Sequence, residues 1–266
     1  MTIGSVTMPF PARLRSAIKI DTVLLGVSLT LLFGGLIVLA SASISAADNA
    51  AGDPFYYVSR QAVAAIIGAV AGFVCLFIPM TLWRSTGPLM LLIAFGLLVV
   101  VLFPGIGYTV NGSTRWIRLG FLNLQASELA RLCLMIYLAG YLVRHNKTLR
   151  EQLSGFAKPM FVLSVACCLL LAEPDFGAAI VLFAIAFAMM FVAGARLLDF
   201  SLFVGLAAVG ATILTVTREY RLERLTGFLD PWADPYDKGF QLTQSLIAIG
   251  RGEWFGVGLG DSVQKL

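Results

Sequence analysis

Apolar residues dominate seven stretches of the chain, at roughly 22–40, 61–78, 88–103, 127–143, 160–171, 176–192 and 198–216, and polar residues collect between them. A helix that crosses a membrane needs about 20 mostly apolar residues. Most of the seven approach that length, and the fifth does so once Ala157 and Lys158 are counted. The first stretch follows Arg13, Arg15 and Lys19. It is too long for the apolar region of a cleaved signal peptide, and further spans follow at once. The pattern predicts an all-α, polytopic membrane helix bundle with about seven spans. Small residues at 62–72 and 177–186, and the pair Met189 and Met190, read as packing positions in helices that approach closely.

The connections orient this bundle. With a cytoplasmic N-terminus, the inner segments hold nine cations: Arg13, Arg15, Lys19, Arg84, Arg144, Lys147, Arg150, Lys158 and Arg196. The short outer loops hold three, Arg60, Arg115 and Arg118. That excess is the positive-inside bias. The chain then divides into a cytoplasmic segment at 1–20, a transmembrane bundle at 21–216 and an outer segment at 217–266 that begins a large loop.

Composition narrows the class. Of 266 residues, 59% are hydrophobic and 13% are Asp, Glu, Lys or Arg, with a mean hydropathy of +0.88. Soluble domains run near about 45–50% apolar and about 25% charged, so most of this chain is not built for water. Nineteen phenylalanines exclude disorder. The net charge of +4 is the cytoplasmic excess already described and points to no nucleic acid. Cys75, Cys133, Cys167 and Cys168 sit inside apolar runs and read as small hydrophobes. His145 is the single histidine, which argues against a zinc, haem or histidine-base site.

The unusual polar chemistry falls on the outer side, in three places. The first is 105–128, where Asn111–Gly112 signals a turn and Arg115 and Arg118 flank Trp116. Such a trio either anchors the segment at the interface with snorkelling arginines or meets an anionic headgroup or phosphate. Glu128 and Arg131, three apart on the fourth span, are an ion pair or part of a site. The second is Glu173-Pro174-Asp175-Phe176-Gly177, which suits a helix start; the alternative is that Glu173 or Asp175 binds a cation, a sugar or Arg115. The third is the tail, with Arg218, Tyr220, Arg221 and Arg224, then Asp230, Asp234 and Asp237, then a short amphipathic helix at 241–249 carrying Gln244 and Ser245. Glycines at 250, 252, 256, 258 and 260 follow no βαβ strand, so they mark a membrane-surface loop or amides offered to a phosphate rather than a dinucleotide site.

In order, Gly112-Ser113-Thr114-Arg115-Trp116, Gln125-Ala126-Ser127-Glu128, Glu173-Pro174-Asp175-Phe176-Gly177 and the acids Asp230, Asp234 and Asp237 resemble the SEDS family (shape, elongation, division and sporulation). Gly239, Gln241, Gln244-Ser245 and the run from Gly258 to Lys265 extend the resemblance, which covers the chain from Asp21 onward. Gly250-Arg251-Gly252-Glu253 and Ser262-Val263-Gln264-Lys265-Leu266 favour its cell-division branch over its rod-shape branch.

The resemblance implies an inner-membrane glycosyltransferase that polymerises lipid II at the division septum, beside a class B penicillin-binding transpeptidase and other division proteins. It implies about ten spans with a large outer loop after the seventh. It places Arg115 and Trp116 near the substrate cavity, and Glu128 and Arg131 as an acid and base on the fourth span, where the family usually has lysine at the latter position. Asp175 falls in the shared Pro-Asp pair, and Gln244, Ser245, Gly258, Gly260, Ser262 and Lys265 in the family-like stretch of the loop. Ala126 replaces a common proline, and Glu173 a common glutamine. The family's essential aspartate is expected beyond Leu266, which makes this chain a truncated one, inactive alone. For the complete protein the implied chemistry is acid–base glycosyl transfer, with or without a divalent cation such as Mg or Mn, in which cations stabilise a departing diphosphate. A lipid II flippase and a non-catalytic division scaffold are the rival readings.

Overall fold

A computed structural model describes residues 21–110, 113–120, 122–217, 229–236 and 239–258. Each apolar stretch is a helix, with short helices between. In chain order these are α1 (Thr22–Ala51), α2 (Tyr56–Leu76), α3 (Met80–Ser85), α4 (Gly87–Val101), α5 (Ala126–Arg144) and α6 (Asn146–Glu151). There follow α7 (Leu153–Ala172), α8 (Phe176–Val192), α9 (Leu197–Val216) and α10 (Phe240–Gly252). By length and composition, residues Thr22–Ile44 of α1, together with α2, α5, α7 and α9, can cross a membrane; α4 and α8 are shorter apolar helices. The segment 1–20, with Arg13, Arg15 and Lys19, lies outside the described residues, as do Arg218, Arg221 and Arg224.

Two helices run further than their apolar stretches. Asp21 caps α1 by accepting from the amides of Val23 and Leu24 at 2.9 and 3.0 Å. No breaker then intervenes until Gly52, whose left-handed φ of 66° ends the helix well past residue 40. α7 begins at Leu153 because Pro159 does not break it. A proline leaves the carbonyl four residues earlier without its amide, and here the Tyr141 hydroxyl donates to that carbonyl, on Gly155, at 3.1 Å.

The chain forms two compact units. In the first, residues 1–77 and 214–266, α1 and α2 pack together, and α2 has no buried residue among those described. Of the small residues at 62–72, Ala62 and Ala65 are half-buried and the rest are exposed. Its tail folds locally: the Thr243 hydroxyl bonds the Pro231 and Gly239 carbonyls at 3.0 and 2.8 Å, holding the Asp-Pro segment on the start of α10.

The second unit, residues 78–213, holds the core. Four helices each contribute one buried stripe: Ala94 and Leu98 from α4, Ala130, Leu134 and Leu138 from α5, Phe156, Met160 and Leu163 from α7, Leu182, Ala186 and Met190 from α8. The opposite faces are also apolar, as lipid requires, so dispersion and close fit rather than water expulsion hold the stripes together. α8 ends in a Schellman turn: Gly194 (φ 84°) bonds to the Phe191 carbonyl and Ala195 to that of Met190. Asn146 and Arg150 donate to the Ala193 carbonyl at 3.2 and 3.3 Å, and the Arg150 cation suits that helix end.

Gly155 is a fixed point of this unit. A Cβ there would stand 2.5 Å from the Thr148 carbonyl and the Leu149 amide nitrogen, backbone that cannot rotate away. Gly155→Ala is expected to destabilise by about 1–3 kcal/mol through overpacking, read as a lower thermal midpoint in detergent; an unchanged midpoint would show that α6 yields.

The bundle also carries a feature that the apolar pattern did not announce. Three antiparallel strands, β1 (Gly107–Val110), β2 (Ser113–Leu119) and β3 (Leu122–Gln125), form a sheet in the order β1-β2-β3 between α4 and α5. Val110 pairs with Ser113 across the Asn111–Gly112 step, which lies outside the described residues, and Leu119 pairs with Leu122. Gly107 lies so close to the Val101 carbonyl that no side chain fits there, which seats β1 against the end of α4. β3 ends at Gln125, the N-cap of α5.

Candidate functional site

Within the second unit, one polar junction joins β2, the start of α5 and the turn between α7 and α8. Its geometry begins with a register shift in the sheet. Tyr108 pairs with Trp116 and Thr109 with Thr114, which leaves Arg115 as the extra residue of a β-bulge. Bulges re-aim the side chain they carry. Arg115 Nη1 stands 3.4 Å from Asp175 Oδ1, with 31% of the arginine side chain still exposed.

Asp175 is the hub. It caps α8 by accepting from the Ala178 amide at 3.1 Å, and its other oxygen accepts from the Ser127 hydroxyl at 3.2 Å. Gln125 in turn donates to Ser127 at 3.1 Å. Helix capping and Arg115 binding, rivals on the sequence, are here performed by one carboxylate. Ser113, two residues before Arg115, donates to the Glu173 backbone carbonyl at 2.6 Å and ties the strand to the same turn.

Glu173 departs from what its place in a connecting turn suggests: it is fully buried, and neither carboxyl oxygen has a partner. Burial, reinforced by the nearby Asp175 charge and opposed by Arg115, pushes its carboxyl up to about 8. Arg115 Nε and Trp116 Nε1 are likewise buried without a partner, so unsatisfied donors and an unsatisfied acid sit in one region.

The other candidates fall elsewhere. Glu128 and Arg131 bond to each other on α5, with the Glu128 side chain 51% exposed. The Arg118 guanidinium lies over the Tyr108 ring, 3.4 Å from the centroid. Trp116 is half-buried on β2 opposite Gln125 of β3. Gln244, half-buried, and Ser245, exposed, lie on α10 of the other unit. Gly260, Ser262 and Lys265, like Asp237, lie outside the described residues. The four cysteines are free thiols, and Cys133 and Cys167 pack against the core.

A divalent cation does not fit the described residues. Among them no three His, Cys, Asp or Glu side chains converge, and the Asp175 carboxylate is already engaged by Arg115, Ser127 and an amide. Ser113 and Ser127 stood in the sequence only as members of two family-like motifs with no role of their own, and their partners lie 60 and 48 residues away. Their signal was confined to two hydroxyls inside polar segments, and only topology brings them to the junction.

The family model for FtsW, RodA and SpoVE, described as cell cycle protein, matches residues 21–266. The probable peptidoglycan glycosyltransferase FtsW of Thioalkalivibrio sulfidiphilus is 54% identical over 254 residues, 96% of this chain and 64% of its own length. That of Hahella chejuensis is 50% identical over 93% of this chain and 62% of its own length. The chain thus spans somewhat less than two thirds of these relatives. A solved chain from a peptidoglycan synthase complex that coordinates polymerization and crosslinking aligns with a TM-score of 0.63 and 32% identity, covering 85% of this chain and 65% of that one. The rod shape determining protein RodA of Thermus thermophilus aligns with a TM-score of 0.52 and 25% identity, over 85% of this chain and 73% of its own.

Proposed function

Because the chain belongs to the SEDS family of FtsW, RodA and SpoVE cell cycle proteins, and is a multi-pass membrane protein of that fold, we propose that the full-length protein is a peptidoglycan glycosyltransferase. It polymerises lipid II into glycan strands during septal wall synthesis, in the bacterial inner membrane, with a cytoplasmic N-terminus. Its partner is a class B penicillin-binding transpeptidase within the division assembly. The names of its relatives and the synthase complex it resembles support this reading.

The observation that carries the chemistry is Arg115, pushed out by a bulge, held at one corner by Asp175 and still partly open. In the transfer, the acceptor sugar hydroxyl loses its proton to a carboxylate of the full-length protein. Its oxygen forms the glycosidic bond at the donor anomeric carbon as the carbon–oxygen bond to the diphosphate breaks. Charge builds on the departing lipid diphosphate, and a preset guanidinium lowers that barrier without reorganising. Arg218, Arg221 and Arg224 are further cations for the same task.

Reconstitution of the full-length protein with labelled lipid II tests the proposal. Polymer bands are expected. Leaflet crossing without polymer would favour a flippase, and neither activity a division scaffold; both outcomes overturn polymerisation.

A further inference from the structure

Glu173 plays no part in that transfer, yet it is the fully buried acid beside it. Its backbone is fixed from both sides: the carbonyl accepts from Ser113 and the amide bonds to the Leu169 carbonyl at 3.1 Å. The carboxyl group that this backbone carries is fully buried, and neither of its oxygens has a partner. Among the described residues, the charged groups around it are few. β2 contributes Arg115, and the cap of α8 contributes Asp175, which already neutralise each other. The first turn of α5 contributes Glu128, paired with Arg131. α4 has no charged residue, Arg118 lies over Tyr108, and Lys158 of α7 sits about 20 Å down its own helix. Among the described residues the cation nearby is Arg115, already held by Asp175, and a buried carboxylate with no hydrogen-bond partner of its own is costly.

We propose that Glu173 is a positioning residue that works as a neutral acid. While it keeps its proton, the Arg115–Asp175 pair stands at zero net charge with Arg115 turned to the substrate diphosphate. When it ionises, the junction becomes anionic, competes for Arg115 and repels that diphosphate. The inference rests on the lipid II reading given above and adds to it an alkaline limit set within the site.

The sign follows from linkage. An acid whose proton is held more tightly in the folded than in the unfolded state costs stability as pH rises from the ordinary carboxylate range through its folded value, here about 8. Bound diphosphate, an added anion, favours the protonated form, so affinity falls over the same interval.

The test is lipid II binding by the full-length protein in nanodiscs. The lipid's diphosphate is a diester and does not titrate near neutrality. Wild type is expected to bind about tenfold more weakly near pH 9 than near pH 7, and E173Q to bind equally at both. The ligand-free thermal midpoint, followed in parallel, is expected to fall with pH in wild type relative to E173Q. An affinity that does not change in wild type, or a decline that E173Q retains, overturns the proposal. If neither protein binds lipid II at any pH, the substrate reading fails. Midpoints that still diverge would then leave the ionisation standing and overturn only its link to the diphosphate, whereas parallel midpoints overturn both.

Discussion

Replacing Arg115 with alanine in the full-length protein is expected to lower lipid II polymerisation by about 10²–10³-fold, the usual cost of removing one preorganised group that stabilises charge in a transition state. The loss should fall on binding and on turnover, because the diphosphate is already anionic when bound and gains a further charge as its bond to the sugar breaks. Arg115→Lys should recover part of it. Lysine restores a positive charge but not the planar fork, so it cannot hold Asp175 with one corner and offer another to the substrate. The protein should remain folded in both variants, since the Asp175 carboxylate keeps its bonds from Ser127 and the Ala178 amide. Polymer formed at the wild-type rate by Arg115→Ala would remove Arg115 from the chemistry and return the task to the arginines after α9.

Asp175 should separate stability from activity in a way no other residue of the junction does. Asp175→Ala removes the cap of α8 and the acceptor of Ser127 together. Caps and buried hydrogen bonds each contribute about 1 kcal/mol, so a loss of about 2 kcal/mol is expected. The ion pair adds little more, because the Arg115 end is open to solvent. Asp175→Asn keeps a side-chain oxygen for the cap, and its thermal midpoint should fall by less than half as much. Its activity should still drop at least tenfold, because the amide cannot hold a guanidinium against the field of the turn. The pair of midpoints and the pair of polymerisation rates decide the matter: an Asn variant as active as wild type would show that charge at Asp175 has no bearing on Arg115.

The helices were legible because lipid imposes a length on any apolar run, and each of the seven stretches forms one. Their faces were not. Leu98 and Leu182 are buried while Leu92 and Ile180 are exposed on the same helices, and both sets are equally apolar. The start of α7 lies before its apolar run, because Leu153–Pro159 is helical without being continuously apolar and Tyr141 supplies the donor that Pro159 takes away. The sheet escaped notice for a different reason. Its strands are four to seven residues long, Trp116 and Ile117 interrupt any alternation, and the bulge at Arg115 breaks the period where the chemistry lies. At the junction, Arg115 and Asp175 were visible as residue types, and their union was one of three options. The burial of Glu173 was not visible, because a glutamate before Pro-Asp in a connecting turn reads as solvated. Only the fold around it, with Ser113 reaching back across 60 residues, takes the water away.

The direct passage of β3 into α5 bears on how the site moves. Gln125 is both the last strand residue and the helix cap, and Gln125 also holds Ser127. No spare peptide separates sheet from helix to act as a swivel. A tilt of α5 is therefore felt first at the end of β3, while Gly107 against α4 and Ser113 on the Glu173 carbonyl hold the other strands in place. The sheet works as a splint across three helix ends, and Arg115 keeps its aim because its strand is braced from all of them.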